Sequence, residues 1–422
     1  MQTRRRVLAV VVECGVVRRL VSAGLAVVFA AGLATAVLAG ITRAGAASSP
    51  ARAEVAQMLR VDTNAPSWLA PGGAGSVGGF AGANEPLRLV GAQGVVLART
   101  RSGPLGRYVF RFRAPARAGR YQLRVLAGAA EASAGTLAVR PLELAAVGDI
   151  TFGEQVGPAI AAYGAAYPWT AVASRLRSAD ITVGNLESAV STRGSAQVKE
   201  FTFRGPPSAL KPLARLAGFD ALTLANNHSG DFGPQAALDT VRSVRAAGMI
   251  PFGAGANSFQ ARRPALLERG GLKVALLGYS DINPLGFNAA SASPGTARAD
   301  TAAIAADVHA ARRHADLVVC FFHWGVERRA EPDGRQQQLA AACLNSGAQV
   351  VLSAHPHVLG PLTAPRPHTV VSWSLGNFVF PSSGAAARTG ILQVRLAKNG
   401  VRGYRLLPAL INGFRPQLTS SL

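Results

Sequence analysis

Between residues 142 and 378 the chain repeats one pattern: an apolar run of strand length that stops on polar side chains, then a stretch with helical periodicity. The runs are "LELAAVGD" (142–149), "DITVGNLE" (180–187), "DALTLANNH" (220–228), "KVALLGYSD" (273–281), "DLVVCFFHWG" (316–325), "AQVVLSAHPH" (348–357) and "TVVSWSLGNF" (369–378). The helical stretches include "PWTAVASRLRSA" (168–179), "GPQAALDTVRSVRAAG" (233–248), "TAAIAADVHAARRHA" (301–315) and "GRQQQLAAACLNSG" (334–347). Such alternation predicts an α/β domain over residues 141–415, a β-sheet core layered with helices. The tail "ILQVRLAKNGVRGYRLLPALI" predicts a hairpin turned at Asn399-Gly400 that closes the sheet.

The preceding chain has a different grammar. Arg4, Arg5, Arg6, Arg18 and Arg19 stand before an uncharged apolar run at 20–41. A bilayer span needs about 20 apolar residues, and basic residues on the N-terminal side keep that end in the cytoplasm. Residues 1–50 therefore predict a signal peptide or signal anchor, Ala44-Gly45-Ala46 offering a small-residue cleavage pattern, and the rest of the chain is expected outside the cytoplasm, secreted or membrane-anchored. Residues 51–75, rich in Ala, Pro and Gly, predict a linker. Short alternating runs between Gly and Pro turns over 76–140 predict a small β-sandwich serving as spacer or binding module.

The net charge of +22 suits an anionic partner. Only Lys199, Lys211, Lys273 and Lys398 are lysines, and the arginines are scattered rather than grouped with aromatics, which argues against nucleic acid. Three cysteines make no disulfide framework: Cys14 lies in the leader, and Cys320 and Cys343 read as buried thiols, with a bridge between them open to an exported protein.

The chemistry is at the ends of the runs: Asp149, then Asn185 and Glu187, Asn227 and His228, His323, His355 and His357. In α/β sheets the carboxyl ends of strands line the ligand crevice, so residues far apart in sequence converge there. Imidazole and oxygen donors without thiolate suit Mn, Fe, Zn or Mg. Asp149 and Glu187 bring negative charge for two dications, and a carboxylate can bridge ions about 3.5–4 Å apart. Asp231, three residues after His228, is placed to orient that imidazole.

The segments "VGDITFGE", "GNLESAVST", "LANNHSGDFG", "HWGVE", "SAHPHVLGPL" and "SLGNFVF" resemble, in order and spacing, the signatures of the bacterial poly-γ-glutamate capsule-synthesis (CapA) family, a branch of the calcineurin-like metallophosphoesterases. The resemblance spans about 142–411. It implies that Asp149, Glu187, Asn227, His323, His355 and His357 hold a dinuclear metal centre, with His228 beside the substrate as acid or transition-state stabiliser and Asp231 as its partner. Two departures from the broader superfamily stand out: its first motif is Asp-x-His where this chain has Asp149-Ile150-Thr151, and Glu187 replaces its bridging Asp.

Asn185, Asn226, Lys199, Arg204, Glu327 and Asn377 are candidate substrate contacts, the last also suited to turn hydrogen bonds. The resemblance implies a metal-dependent hydrolase fold engaged in making an anionic envelope polymer, within a possible synthesis or export complex. Two rivals stay open: a non-catalytic scaffold with a structural metal and a polymer-binding β module, and a secreted phosphodiesterase or nucleotidase.

Overall fold

The computed structural model describes residues 58–421. The leader expected at 1–50, with its apolar run at 20–41 and Cys14, lies outside the described residues. Among the described residues no helix is long and apolar enough to cross a membrane.

Eight strands come first: β1 (Arg60–Thr63), β2 (Trp68–Leu69), β3 (Ala74–Phe80), β4 (Pro86–Val90), β5 (Val96–Arg101), β6 (Arg107–Arg113), β7 (Gly119–Ala127) and β8 (Ala130–Val139). They form a three-stranded sheet, β1-β3-β6, and a five-stranded sheet, β2-β8-β7-β4-β5. The period-two alternation is plain in β6, where Tyr108, Phe110 and Phe112 are buried and Arg107, Val109, Arg111 and Arg113 are exposed. Those aromatics share one core with Leu87, Leu89, Leu123 and Val125 of the other sheet. The linker reading of 51–75 needs correction. β1, β2 and the start of β3 lie inside it, because the open edges of both sheets have backbone groups to pair.

The second part runs β9 (Leu142–Ile150), α1 (Val156–Tyr163), α2 (Ala173–Arg177), β10 (Ile181–Leu186), β11 (Ala189–Val190), β12 (Arg204–Gly205), α3 (Leu210–Arg215), β13 (Ala221–Thr223), α4 (Gly233–Ala246), β14 (Ile250–Phe252) and β15 (Ala254–Gly255). It continues with α5 (Ser258–Ala261), β16 (Ala265–Arg269), β17 (Leu272–Ser280), β18 (Gly295–Thr296), α6 (Thr301–Arg312), β19 (Leu317–His323), α7 (Gly334–Asn345), β20 (Val350–Ala354), β21 (Leu362–Thr363) and β22 (Val370–Ser372). The last strands are β23 (Asn377–Val379), β24 (Arg388–Ala397), β25 (Gly400–Asn412) and β26 (Arg415–Leu418).

These strands build two sheets, not one. An eight-stranded sheet has the order β14-β13-β10-β9-β24-β25-β26, with β23 also paired to β9; a six-stranded sheet has the order β16-β17-β19-β20-β22-β21. Leu144, Ala146, Ile181 and Val183 of the first meet Val274, Leu276, Val319 and Phe321 of the second in one buried cluster. The alternate residues face outwards: Ala145 and Val147 pack on Leu176, Leu213 and Val244 of α2, α3 and α4, while Val318 and Phe322 pack on Val308 and Leu339 of α6 and α7. This part of the chain is therefore layered helix, sheet, sheet, helix. Local signals agree with it, since α6 begins at the Asp300 cap and α7 at a capping box made by Asp333 and Gln336.

The terminal hairpin pairs β24 with β25 and lays β24 antiparallel on β9. Its turn residues are Lys398 and Asn399, with Gly400 at φ 111° opening the return strand. Cys320 of β19 and Cys343 of α7 form a disulfide, which corrects the buried-thiol reading.

The eight-stranded module rests on the far end of these sheets from the polar strand ends. The amide of Ala70 donates to the Gly270 carbonyl and that of Ala74 to Gly271, at the turn leading into β17. Arg113 reaches Asp316, just before β19, at 3.9 Å.

Candidate metal centre

Both sheets deliver their parallel strand ends to one place. Asp149 on β9 lies in register with Asn185 on β10 and with Asn377 on β23, and His323 on β19 with Ser280 on β17 and Ala354 on β20. β23 can approach β9 because residue 148 is glycine: a Cβ there would collide with the Gly376 carbonyl, which accepts from the amide of Asp149. Asp149, Asn185, Glu187, Asn226 and His323 are almost wholly buried.

Glu187 is the centre of gravity. Its carboxylate is 3.3 Å from Nε2 of His323 and 3.9 Å from Nε2 of His228. Glu187, His355 and His357 each present a donor atom within 4.8 Å of the others. Neither Glu187 oxygen has a hydrogen-bond partner, and neither has Nδ1 of His355, although all three atoms are buried. Buried polar atoms are rarely left so. A carboxylate and two imidazoles aimed at one point are a fitting donor set for a divalent ion. Asp149, His323 and Asn227 stand alongside: Nε2 of His323 lies 2.7 Å from Oδ1 of Asn227, and Nδ1 of His357 lies 3.5 Å from Asp149.

Burial without compensation has electrostatic consequences. Desolvation, then the neighbouring Glu187, pushes the Asp149 carboxyl up to about 7, and burial raises Glu187 as well. Burial pulls His323 down to about 3 and His355 well below the usual imidazole range. His357 is also drawn down by burial, but Glu187 and Asp149 outweigh it, and its net shift is upward. The cluster thus sets the neutral imidazoles of His323 and His355 beside carboxyls that resist ionisation until a cation arrives.

Local backbone strain supports the arrangement. His355 and His357 have φ of 98° and 58°, conformations that residues with a Cβ seldom adopt. The amide of His355 donates to Oδ2 of Asp149 at 3.2 Å, so one carboxylate also fixes the histidine turn.

Beside the cluster, Nδ1 of His228 pairs with Oδ2 of Asp231 at 2.7 Å, and Asp231 is fully buried. The same oxygen accepts from the Phe203 amide at 2.6 Å, while Lys199 donates to the other oxygen at 2.8 Å and to the Asn227 carbonyl at 3.0 Å. The Phe203 ring stacks on His228 at 4.1 Å between centroids. Phe203 and Phe380, which contacts both Phe203 and His357, carry no ligand-type donor, so their one sequence signal is an aromatic two residues from a glycine in "FTFRG".

The candidate substrate contacts separate into groups. Asn185 donates to Asp149 at 2.7 Å, and its oxygen accepts from Asn226 at 2.9 Å. Asn226 also donates to the Leu186 carbonyl and accepts from the His228 amide. Both asparagines hold the site together from beneath, and their polar atoms are committed there. Asn377 accepts at 2.7 Å from His357 Nδ1, fixing that ring, and donates to Ser382. Lys199 is engaged by Asp231. Arg204 donates to the carbonyls of Arg193 and Gly194 and lies over the Phe232 ring, so it braces a loop. Glu327 is exposed and acts on His357 only through its charge. Thr151 is buried and accepts from the Gly153 amide.

The family model described as "Bacterial capsule synthesis protein PGA_cap" matches residues 143–382. The PGA biosynthesis protein CapA of Bacillus subtilis (strain 168) is 32% identical over 274 residues, covering 64% of this chain and 72% of that protein. The capsule biosynthesis protein CapA of Bacillus anthracis is 30% identical over 290 residues, covering 67% and 70%. Among solved structures, a phosphatase from Mycoplasma pneumoniae overlays with a TM-score of 0.43 at 14% identity, covering 64% of this chain and 94% of that one, a likeness too distant to bear on chemistry.

Proposed function

Because the chain belongs to the bacterial capsule synthesis protein (PGA_cap) family, we propose that it is an extracytoplasmic, metal-dependent protein serving the synthesis of an anionic envelope polymer, with a phosphoester-cleaving centre at the joined strand ends. The observation that carries this reading is the set of three buried, partnerless donor atoms on Glu187 and His355, with His357 beside them. In this reading Glu187, His355 and His357 hold one divalent ion, and Asp149, His323 and Asn227 serve a second. Such ions supply Lewis-acid polarisation of a phosphoryl oxygen.

The chain's own groups do the rest. Asp231 accepts from Nδ1–H of His228, which fixes the tautomer and leaves Nε2 facing the Glu187 side of the cluster. With Nδ1–H committed to Asp231, Nε2 is the atom at which the ring can take up a proton and pass it to an anionic oxygen there. Lys199 donates to the other oxygen of Asp231 and so anchors that carboxylate, and the Phe203 ring shields one face of the imidazole. The Cys320–Cys343 disulfide is at home in an oxidising compartment, in keeping with export.

One observation favours the scaffold alternative. Thr151 brings no imidazole to the first motif, so the centre has one donor fewer than the broader superfamily pattern. The experiment is metal content per chain of wild type and His355→Ala, with hydrolysis of a phosphodiester followed on the same samples. About two ions in wild type, fewer in the variant, and metal-dependent turnover support a catalytic centre. Bound metal without turnover selects the scaffold, and failure of wild type to bind Mn or Zn overturns the centre itself.

A further inference from the structure

On the five-stranded sheet of the β module, Arg88 of β4 is directly opposite Arg99 of β5. Paired residues of antiparallel strands project to the same face with Cβ atoms about 5 Å apart, and Arg101, two residues beyond Arg99, projects there too. The burial pattern fixes which face this is. Leu87 and Leu89 point into the sandwich core, while Arg88, Arg99 and Arg101 are exposed.

Like charges set opposite each other across a ladder work against folding. A carboxylate between them would cancel that cost, and none is supplied: Arg88, Arg99 and Arg101 make no ion pair among the described residues, whereas Arg60, Arg124 and Arg140 of the same module each have one. Arg101 also donates to the Asn84 carbonyl, which ties down one of its nitrogens; folding gives no reason for the Arg88–Arg99 pair.

We propose that this face is a binding site for a polycarboxylate chain, with Arg88, Arg99 and Arg101 as its guanidinium ligands. Three planar forks within a few ångströms fit successive carboxylates, each of which can take a bidentate contact. Their neighbours in register on this face are Pro86 and Leu126. No aromatic ring stands among them to stack a base, as single-stranded nucleic acid sites require. Nor do three arginines reach the cluster of about 4–8 that docks a protein on anionic lipid.

The site lies outside the residues matched by the family model. It is also remote from the metal cluster. The module contacts the start of β17, whose nine residues separate it from the strand ends by roughly 25–30 Å. The identity of the polymer as an envelope polycarboxylate rests on the function proposed above; the presence of an anion-binding face does not.

The test measures binding of the purified full chain to fluorescently labelled polyglutamate at two salt concentrations, with Arg88→Gln/Arg99→Gln and the charge-retaining Arg88→Lys/Arg99→Lys alongside. Single-stranded DNA and vesicles containing anionic lipid are run in parallel, and phosphodiester hydrolysis is followed on every protein. Expected are a loss of polyglutamate affinity of tenfold or more in the glutamine variant, a shallower salt dependence, a smaller loss in the lysine variant, unchanged hydrolysis, and a melting temperature of the glutamine variant no lower than that of wild type. Equal affinity of wild type and the glutamine variant overturns the proposal, as does tighter wild-type binding to DNA or vesicles than to polyglutamate. Absence of hydrolysis from all three proteins, with the arginine dependence intact, counts against the catalytic reading and upholds this one.

Discussion

Asp231 divides its two oxygens between the groups that matter for His228: Oδ2 meets the imidazole Nδ1 at 2.7 Å, and Oδ1 meets the Lys199 ammonium at 2.8 Å. Replacing Asp231 with Asn keeps the volume but removes the charge that orients both. Asp231→Asn is expected to lower metal-dependent phosphodiester turnover by about 100-fold while leaving metal content unchanged. Metal analysis and initial rates on one preparation check both halves. Loss of the metal together with activity would count against a purely positioning role.

The raised carboxyls predict a proton count for metal uptake. Asp149 sits at about 7 in the metal-free protein, and a ligand must ionise to bind a cation. Uptake at pH 6 should release protons and that release should fade above pH 8, so affinity climbs with pH across this window. Asp149 and His323 set two opposing slopes in the stability of the metal-free protein. Asp149, raised from 3.8 to about 7, contributes stability that is present below about pH 4 and lost as the pH rises through 7. His323, lowered from 6.5 to about 3, contributes stability that is present above 6.5 and lost as the pH falls through 3. The two nearly cancel between pH 4 and 6.5. Calorimetric titrations in buffers of different ionisation enthalpy read the proton release, and denaturant titrations read the slopes.

Glu187 is costly to fold around when no cation is bound, since burial raises its carboxyl and both oxygens lack partners. Glu187→Gln should therefore raise the stability of the metal-free protein at pH 8, by about 1–3 kcal/mol. The same variant should lose the gain in melting temperature that metal gives wild type. Thermal melts with and without Mn measure both, and a metal-free variant less stable than wild type would contradict the account.

The disulfide ties β19 to α7 across 23 residues of chain. Loop-closure entropy gives such a link roughly 3 kcal/mol, a model-dependent figure. Cys343→Ser should lower the urea midpoint accordingly without changing metal stoichiometry, because neither cysteine touches the cluster.

Much of this could be read from sequence because apolar runs and their polar ends are local signals. Asp149, Glu187, His323, His355 and His357 converge as strand ends in α/β proteins do. What sequence could not supply was pairing. β23 joins β9 across more than 200 residues, and the division into two sheets depends on which of several similar Val- and Leu-rich runs lie side by side. Asn185 and Asn226 illustrate the same limit at the level of side chains. Their type suits a substrate contact, and only their neighbours reveal that Asp149, Leu186 and His228 already occupy them. β1 was hidden because Gly, Pro and Ala around it signal a linker while the edge of a sheet is what orders it.

The module sits at one end of the layered sheets and the histidine cluster at the other. On the proposals above, a chain gripped at Arg88 and Arg99 would reach the cluster only if it were longer than β17, about 25–30 Å or on the order of eight peptide-sized repeats. A protein that bound the polymer at both ends would act as a ruler: oligomers below that length would engage one end or the other, and the first polymer able to bridge both would gain the avidity of two attachments.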